Sequence, residues 1–260
     1  EKTDETTGDS ITACKGCDKQ MLLKIEKGSS RTYSTDFVTA TNEAEDGTKI
    51  TLLADIQQQN WGKRARISGD NKIVTLDLNG HKIIDGWIEV GKSEGYDDYT
   101  KCTSCTLKIV GNGSYEKTGV SGDVEVQMKA TLDLTGWTGG TISEIGIRDH
   151  SGYPVNEREA TLIIGPNAGT IQKLWFGNNQ LPAITKTKLS GGSYGEIYVP
   201  SFGVPIQLGN LLKKGYAFQN ADGTYVDYTK KLAGSTINNV TVVKCPHDKI
   251  ENDTCAYCGM

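Results

Sequence analysis

The chain has no hydrophobic run approaching the roughly eighteen residues that a membrane-crossing helix needs, so no membrane span is expected. It also lacks an excess of positive charge: 28 Lys and Arg face 32 Asp and Glu, a net charge of -4. A mildly acidic chain offers no electrostatic case for nucleic acid or for an anionic membrane surface. Proline is scarce at six residues, and there are three histidines. No nucleophile elbow, phosphate-binding loop or paired-histidine zinc helix occurs, so no second motif supports a histidine as general base. His81, after Asn79-Gly80, reads as a corner residue, and His150 as a lone loop histidine. The first residues, EKTDETTGDS, contain neither a basic nor an apolar segment, so a mature or truncated chain is expected.

Glycine, by contrast, is abundant at 31 residues, which points to many tight turns. Among them runs a repeat. TLLADI begins at Thr51, TLDLNG at Thr75, TLKIVGNG at Thr106, TLDLTG at Thr131, TLIIG at Thr161 and TKLSGG at Thr187, in steps of 24, 31, 25, 30 and 26 residues. Each unit alternates apolar and polar residues and then breaks at Gly or Asn-Gly, which predicts a short half-buried strand and a sharp turn. A second set lies between them: GWIEV (Gly86–Val90), GDVEV (Gly122–Val126), GTISEIGI (Gly140–Ile147), GTIQKLWF (Gly169–Phe176) and GSYGEIYV (Gly192–Val199). Two or more strands per repeat with few hairpin signals predict the coils of an all-β parallel solenoid. No coil buries its apolar side alone, whereas coils stacked about 4.8 Å apart share one core.

The open ends of a solenoid need covers. STDFVTATNEAEDG (Ser34–Gly47) sets Phe37, Ala40 and Ala44 at helical spacing and predicts a short N-terminal capping helix. VPIQLGNLLKKGYAFQNADGTYVDY (Val204–Tyr228) predicts a helix through Leu208–Lys213 and a hairpin around Asp222-Gly223 at the other end. The boundaries expected are 1-20 for a linker or the end of a preceding module, 21-200 for the solenoid with its cap, and 201-260 for a C-terminal cap.

Alternation assigns Leu76, Leu78, Leu107, Ile109, Leu132, Leu134, Leu162 and Ile164 to the core in stacked rows. Between them Asp77, Lys108, Asp133, Ile163 and Lys188 point outward, a mixed-sign column expected to form an exposed ion-pair ladder. A polysaccharide lyase would instead gather acids for Ca2+ beside a Lys or Arg. In the second set, placing Ile88, Val124, Ile145, Leu174 and Ile197 inward puts Glu89, Glu125, Gly146, Trp175 and Tyr198 in one outward column. Trp87, Asp123, Glu144, Lys173 and Glu196 form the row beside it. Trp175 and Tyr198 should then stand about 5 Å apart on adjacent coils. Outward aromatics among charges suit a binding surface, so Trp175, Tyr198, Glu144, Lys173 and Glu196 are the candidate binding residues. A loop or the C-terminal cap lying over them is the other reading.

Seven cysteines leave one over from a pure disulfide framework. Six fall in CxxC pairs, Cys14/Cys17, Cys102/Cys105 and Cys255/Cys258, and the seventh, Cys245, has His247 two residues on. Cys245, His247, Cys255 and Cys258, spaced C-x-H-x7-C-x2-C, supply three thiolates and an imidazole, the set that a closed tetrahedral zinc site uses. A Cys255–Cys258 or Cys245–Cys258 disulfide is the alternative. Either is a staple rather than a catalyst. The remaining cysteines could be local disulfides or free thiols.

VTLDLNGHKI (Val74–Ile83) resembles the first full coil of right-handed parallel β-helices of the pectate-lyase-like superfamily, a likeness spanning roughly Lys49 to Pro200. The ending LLKKGYAFQNADGTYV…VTVVKCPHDKIENDTCAYCG resembles modules of large secreted, wall-associated proteins of Gram-positive bacteria, adhesins and superantigen-like immunoglobulin-binding proteins among them. These resemblances imply a non-catalytic module of a secreted, cell-surface protein beside other modules of the same chain, binding a host protein, most concretely immunoglobulin. A carbohydrate-binding or lyase-type β-helix, and a plain spacer, are the alternatives. Cys14/Cys17 would close a preceding module, although no Cys or His lies between Glu1 and Ala13 to complete that half-motif.

Overall fold

A computed structural model describes residues 20–58, 64–91, 103–119, 123–127, 129–148, 159–177, 186–200, 206–232, 234–251 and 253–260. The expectations for Cys14, Cys17, Cys102 and His150 fall outside these residues. The fold is predominantly β, with the six-residue helix Phe37–Asn42 as its α-helical element among the described residues.

Most strands belong to two sheets, and successive repeats contribute to each in turn. The first sheet runs in the order Lys188–Leu189, Thr161–Ile164, Thr131–Leu134, Thr106–Val110, Ile73–Asp77, Lys49–Leu52, Leu23–Lys27, Ser30–Ser34. From Lys49 onward its neighbours are parallel. In the second sheet Thr141–Ile147, Thr170–Phe176 and Ser193–Val199 are seven-residue parallel neighbours. Earlier repeats split that strand in two. Lys82–Ile84 and Ile88–Val90 are separated by Asp85, Gly86 and Trp87, and both Ser114–Glu116 and Val124–Val126 pair with Thr141–Ile147. Neither sheet closes on itself.

The eight core leucines and isoleucines are all buried, in rows such as Val74–Leu107–Leu132–Leu162 and Leu134–Ile164–Leu189. One apolar core extends from Leu23 to Val242. Burying each such side chain contributes about 1.5–3 kcal/mol.

The first sheet departs from the expected register in its early strands. Thr51 lies opposite Asp77, and Thr75 opposite Lys108, so the first two steps slip by two residues. Side chains alternate with period two, so the slip leaves the inward set inward while shifting the pairing of both the inward rows and the outward column by two residues. That column reads Thr75, Lys108, Asp133, Ile163, Lys188, and the expected ladder is not formed. Asp77 instead pairs with Lys49 at 2.8 Å.

Two covers differ from expectation. At the N-terminal side the capping helix is present: Asp36 accepts the Thr39 N–H at 3.0 Å, and Phe37, Ala40 and Ala44 are buried. The edge of the first sheet, however, is covered by an antiparallel hairpin, Leu23–Lys27 with Ser30–Ser34. At the other side the expected helix is one 3-10 turn, Leu208–Leu211, with Gly209 packed against the Tyr228 ring. Tyr216–Asn220 does enter the turn at Asp222-Gly223, but its returning partner is a single bridge, Gln219 to Tyr225. Its main partner is Ser235–Lys244, which also pairs antiparallel with Ser193–Val199 and so extends the second sheet.

Candidate metal centre and outer face

Cys245 directly follows the ten-residue strand Ser235–Lys244, and its N–H donates to the Gly215 carbonyl at 2.9 Å. The chain then passes His247, whose backbone is left-handed at φ 56, and folds back through the antiparallel pair Ile250–Glu251 and Thr254–Cys255. The turn after Cys255 closes when the Gly259 N–H donates to the Cys255 carbonyl at 2.9 Å. Tyr257 stacks on Tyr225 with ring centroids 4.7 Å apart, holding this tail against the segment that returns from the Asp222-Gly223 turn.

These local geometries bring all four expected ligands together. Their donor atoms lie within 4.8 Å of one another. Cys245 Sγ is 3.4 Å from Cys255 Sγ, and Cys258 Sγ is 3.5 Å from His247 Nδ1. Two thiolates on one tetrahedral zinc would be about 3.8 Å apart, given Zn–S bonds of about 2.3 Å. Cys245 and Cys255 are buried, Cys258 is half-buried and His247 is exposed, with the three cysteines present as free thiols. Burial raises the Cys245 thiol. At Cys255 burial opposes ionisation, but hydrogen bonds from the Tyr257 and Cys258 N–H groups and from Cys245 outweigh it and lower that thiol. The donor set and its spacing fit one metal ion with no open position.

On the second sheet the expected register is observed throughout. Val124 lies opposite both Ile88 and Ile145, Ile145 opposite Leu174, and Leu174 opposite Ile197. Glu144, Lys173 and Glu196 are consecutive partners, and Trp175 is opposite Tyr198. All five candidate binding residues are half-buried.

Trp175 and Tyr198 thus occupy adjacent positions on neighbouring strands, and Trp175 also packs against the strand on its other side. The indole lies over Gly146 on the Thr141 strand, where any Cβ would overlap its ring. Its Nε1–H donates to Glu144 at 2.6 Å. Glu144 also meets the Lys117 ammonium at 2.9 Å, and Lys117 reaches Asp123 at 3.0 Å. Burial alone would lower the pKa of Lys117, but its hydrogen bonds to Glu144 and Asp123 hold it above the ordinary value. Trp175 and Glu144 are thus tied into the chain's own contacts. Lys173, Glu196 and Tyr198 are not: among the described residues their side chains make no hydrogen bond or ion pair. The mutual neutralisation of Glu144, Lys173 and Glu196 that alternation suggested is therefore replaced by a Lys117–Glu144 pair beside an unpaired Lys173 and Glu196.

Alternation did not reveal that Glu89 and Glu125, which point outward, are 0% and 1% exposed. Glu89 pairs with Arg64 at 2.8 Å and Arg66 at 2.9 Å, Glu125 pairs with Arg148, and Arg64 lies 3.5 Å over the Trp87 ring. Burial raises the Glu125 carboxyl, and Arg148 draws it part of the way back. Breaking such a pair costs more than forming it yields, because the remaining charge stays buried. The available signal was Arg64 and Arg66, two positions apart, just before and within the strand Ala65–Ile67 that pairs in register with Ile88–Val90.

No family model matches the chain, and no curated protein or solved structure matches it.

Proposed function

We propose that the two sheets wind as a right-handed parallel β-helix and that the chain is a non-catalytic binding module of a secreted bacterial surface protein. The partner in this reading is a host protein, immunoglobulin being the one to which the resemblance of the C-terminal segment points. One observation carries it. Lys173, Glu196 and Tyr198 occupy neighbouring positions on the longest parallel strands, without polar partners among the described residues. A phenol two residues along the strand from Glu196, which itself faces Lys173, is a low-entropy anchor with charges beside it to set orientation. The four-ligand centre holds zinc as a structural staple, with three thiolates selecting a borderline-soft ion over Mg2+ or Ca2+. No helix is long and apolar enough to cross a membrane among the described residues.

A second reading has its own support. Asp123, Glu125 and Glu144 gather on the outer second sheet beside Lys117 and Arg148, the mixture of acids and bases that carbohydrate binding or lyase chemistry employs. Each acid is engaged by a cation of the chain itself, which favours the first reading.

The test is binding of purified immunoglobulin to the immobilised module, run beside a glycan array and a turnover assay on uronate polymers. Saturable immunoglobulin binding without turnover supports the first reading. Turnover supports the second, and silence in all three leaves a spacer.

A further inference from the structure

We propose a second binding site, for a sugar acid, in the groove where the turn after Thr161–Ile164, the corner at Ser190–Ser193 and the strand pair Tyr216–Asn220 and Ser235–Lys244 meet. It lies apart from the Tyr198 face and does not depend on it.

The groove has a volume of about 510 Å3 and is open to solvent. That is within the range of about 300–1,000 Å3 typical of small-molecule sites. Its depth comes from missing side chains. Gly191 packs so closely on the Gly165 carbonyl and Pro166 that no Cβ fits there, and Gly192 is left-handed at φ 86. Ala168, Ser190 and Ser193 are short, so the floor is backbone and small polar groups.

One wall carries Tyr216 and Lys244, directly opposite each other across the antiparallel pair. Neither side chain has a hydrogen-bond or ion-pair partner among the described residues, and Lys244 is exposed. The groove includes Ser193 and Thr241, whose hydroxyls are 3.1 Å apart. One hydrogen bond between two hydroxyls leaves each with further capacity. No Asp or Glu is among the described residues that line it, and exposed Lys213 and Lys214 occupy the turn that leads into Tyr216.

Three needs of this groove are met at once by one ligand class. The Tyr216 ring offers an apolar surface to the C–H face of a sugar, the hydroxyls suit a polyol, and Lys244 suits a carboxylate. A plain anion would leave the ring and hydroxyls unused, and a neutral sugar would leave the ammonium unused.

The test uses D-glucuronate, with D-glucose and acetate as hydroxyl-only and charge-only controls. Saturation-transfer NMR should show D-glucuronate bound, and amide shifts should map to Ser193 and Thr241. Affinity should fall about tenfold in Lys244→Ala and in Tyr216→Ala, and D-glucose and acetate should bind about tenfold more weakly than D-glucuronate. Lys244→Ala removes an exposed, unpaired side chain, so it decides the matter should Tyr216→Ala fail to fold. No transfer from D-glucuronate overturns the proposal. So does acetate binding equally well, shifts confined to other residues, or an affinity within twofold in Lys244→Ala.

Discussion

The indole of Trp175 rests on Gly146, its partner on one neighbouring strand, while Tyr198 is its partner on the other. A residue that sequence placed on a free surface is therefore part of the packing. Gly146→Ala should push the ring off the sheet and cost about 1–3 kcal/mol, the usual range for overpacking. Tryptophan emission should shift as the Glu144 bond is lost, and chemical denaturation should give the stability change. An unaltered spectrum with unaltered stability would remove Trp175 from the packing.

Leu132 is fully buried between Leu107 and Leu162. Leu132→Ala should cost about 2–5 kcal/mol in urea unfolding, the range for a cavity in a packed core. A loss below about half a kcal/mol would place Leu132 outside the close-packed interior.

The core was legible because a period-two code survives errors of two residues. Thr51 and Thr75 were set two positions out, yet Leu76 and Leu78 were still assigned inward correctly. Outward residues have no such protection, so the Asp77–Lys108 pair was an artefact of that slip. Glu89 and Glu125 were hidden for a different reason: alternation gives direction and does not say what covers a face. Leu208–Leu211 failed as a longer helix because Gly209 fits against Tyr228, a tertiary contact that local pattern does not contain. The clustering of Cys245, His247, Cys255 and Cys258 was legible, since spacing and donor chemistry are both written in the sequence.

Asp85 accepts hydrogen bonds from the Thr118 hydroxyl at 2.6 Å, the Thr118 N–H at 2.7 Å, the Gly119 N–H at 2.9 Å and Gln57 at 3.2 Å. The Thr118 hydroxyl leads the effects that lower its pKa, against a smaller opposing effect of burial. A depressed folded value means stabilisation that is complete above the unfolded value, about 3.9, and lost as pH falls through the folded one. Asp85→Asn keeps the shape and the left-handed backbone while removing the charge. The variant should be less stable than the parent at neutral pH, and the gap should close in acid. A gap independent of pH in urea titrations would contradict this.

Metal removal should act locally. Chelation or Cys255→Ser should release the tail after Lys244 from its contacts with Tyr225 and Tyr228, increasing proteolysis there while the β circular-dichroism signal persists. Elemental analysis of untreated protein should find about one zinc per chain. No metal, together with a mass lighter by two hydrogens for each disulfide, would establish disulfides instead.

The most direct test of the binding reading is the affinity of immunoglobulin for the parent module compared with Tyr198→Ala and Lys173→Ala, with circular dichroism confirming the fold. Truncating a central anchor commonly costs about 2 kcal/mol or more, so Tyr198→Ala should weaken binding by about thirtyfold and Lys173→Ala by less. Affinities within about twofold of the parent in both variants would show that the partner does not dock on this face.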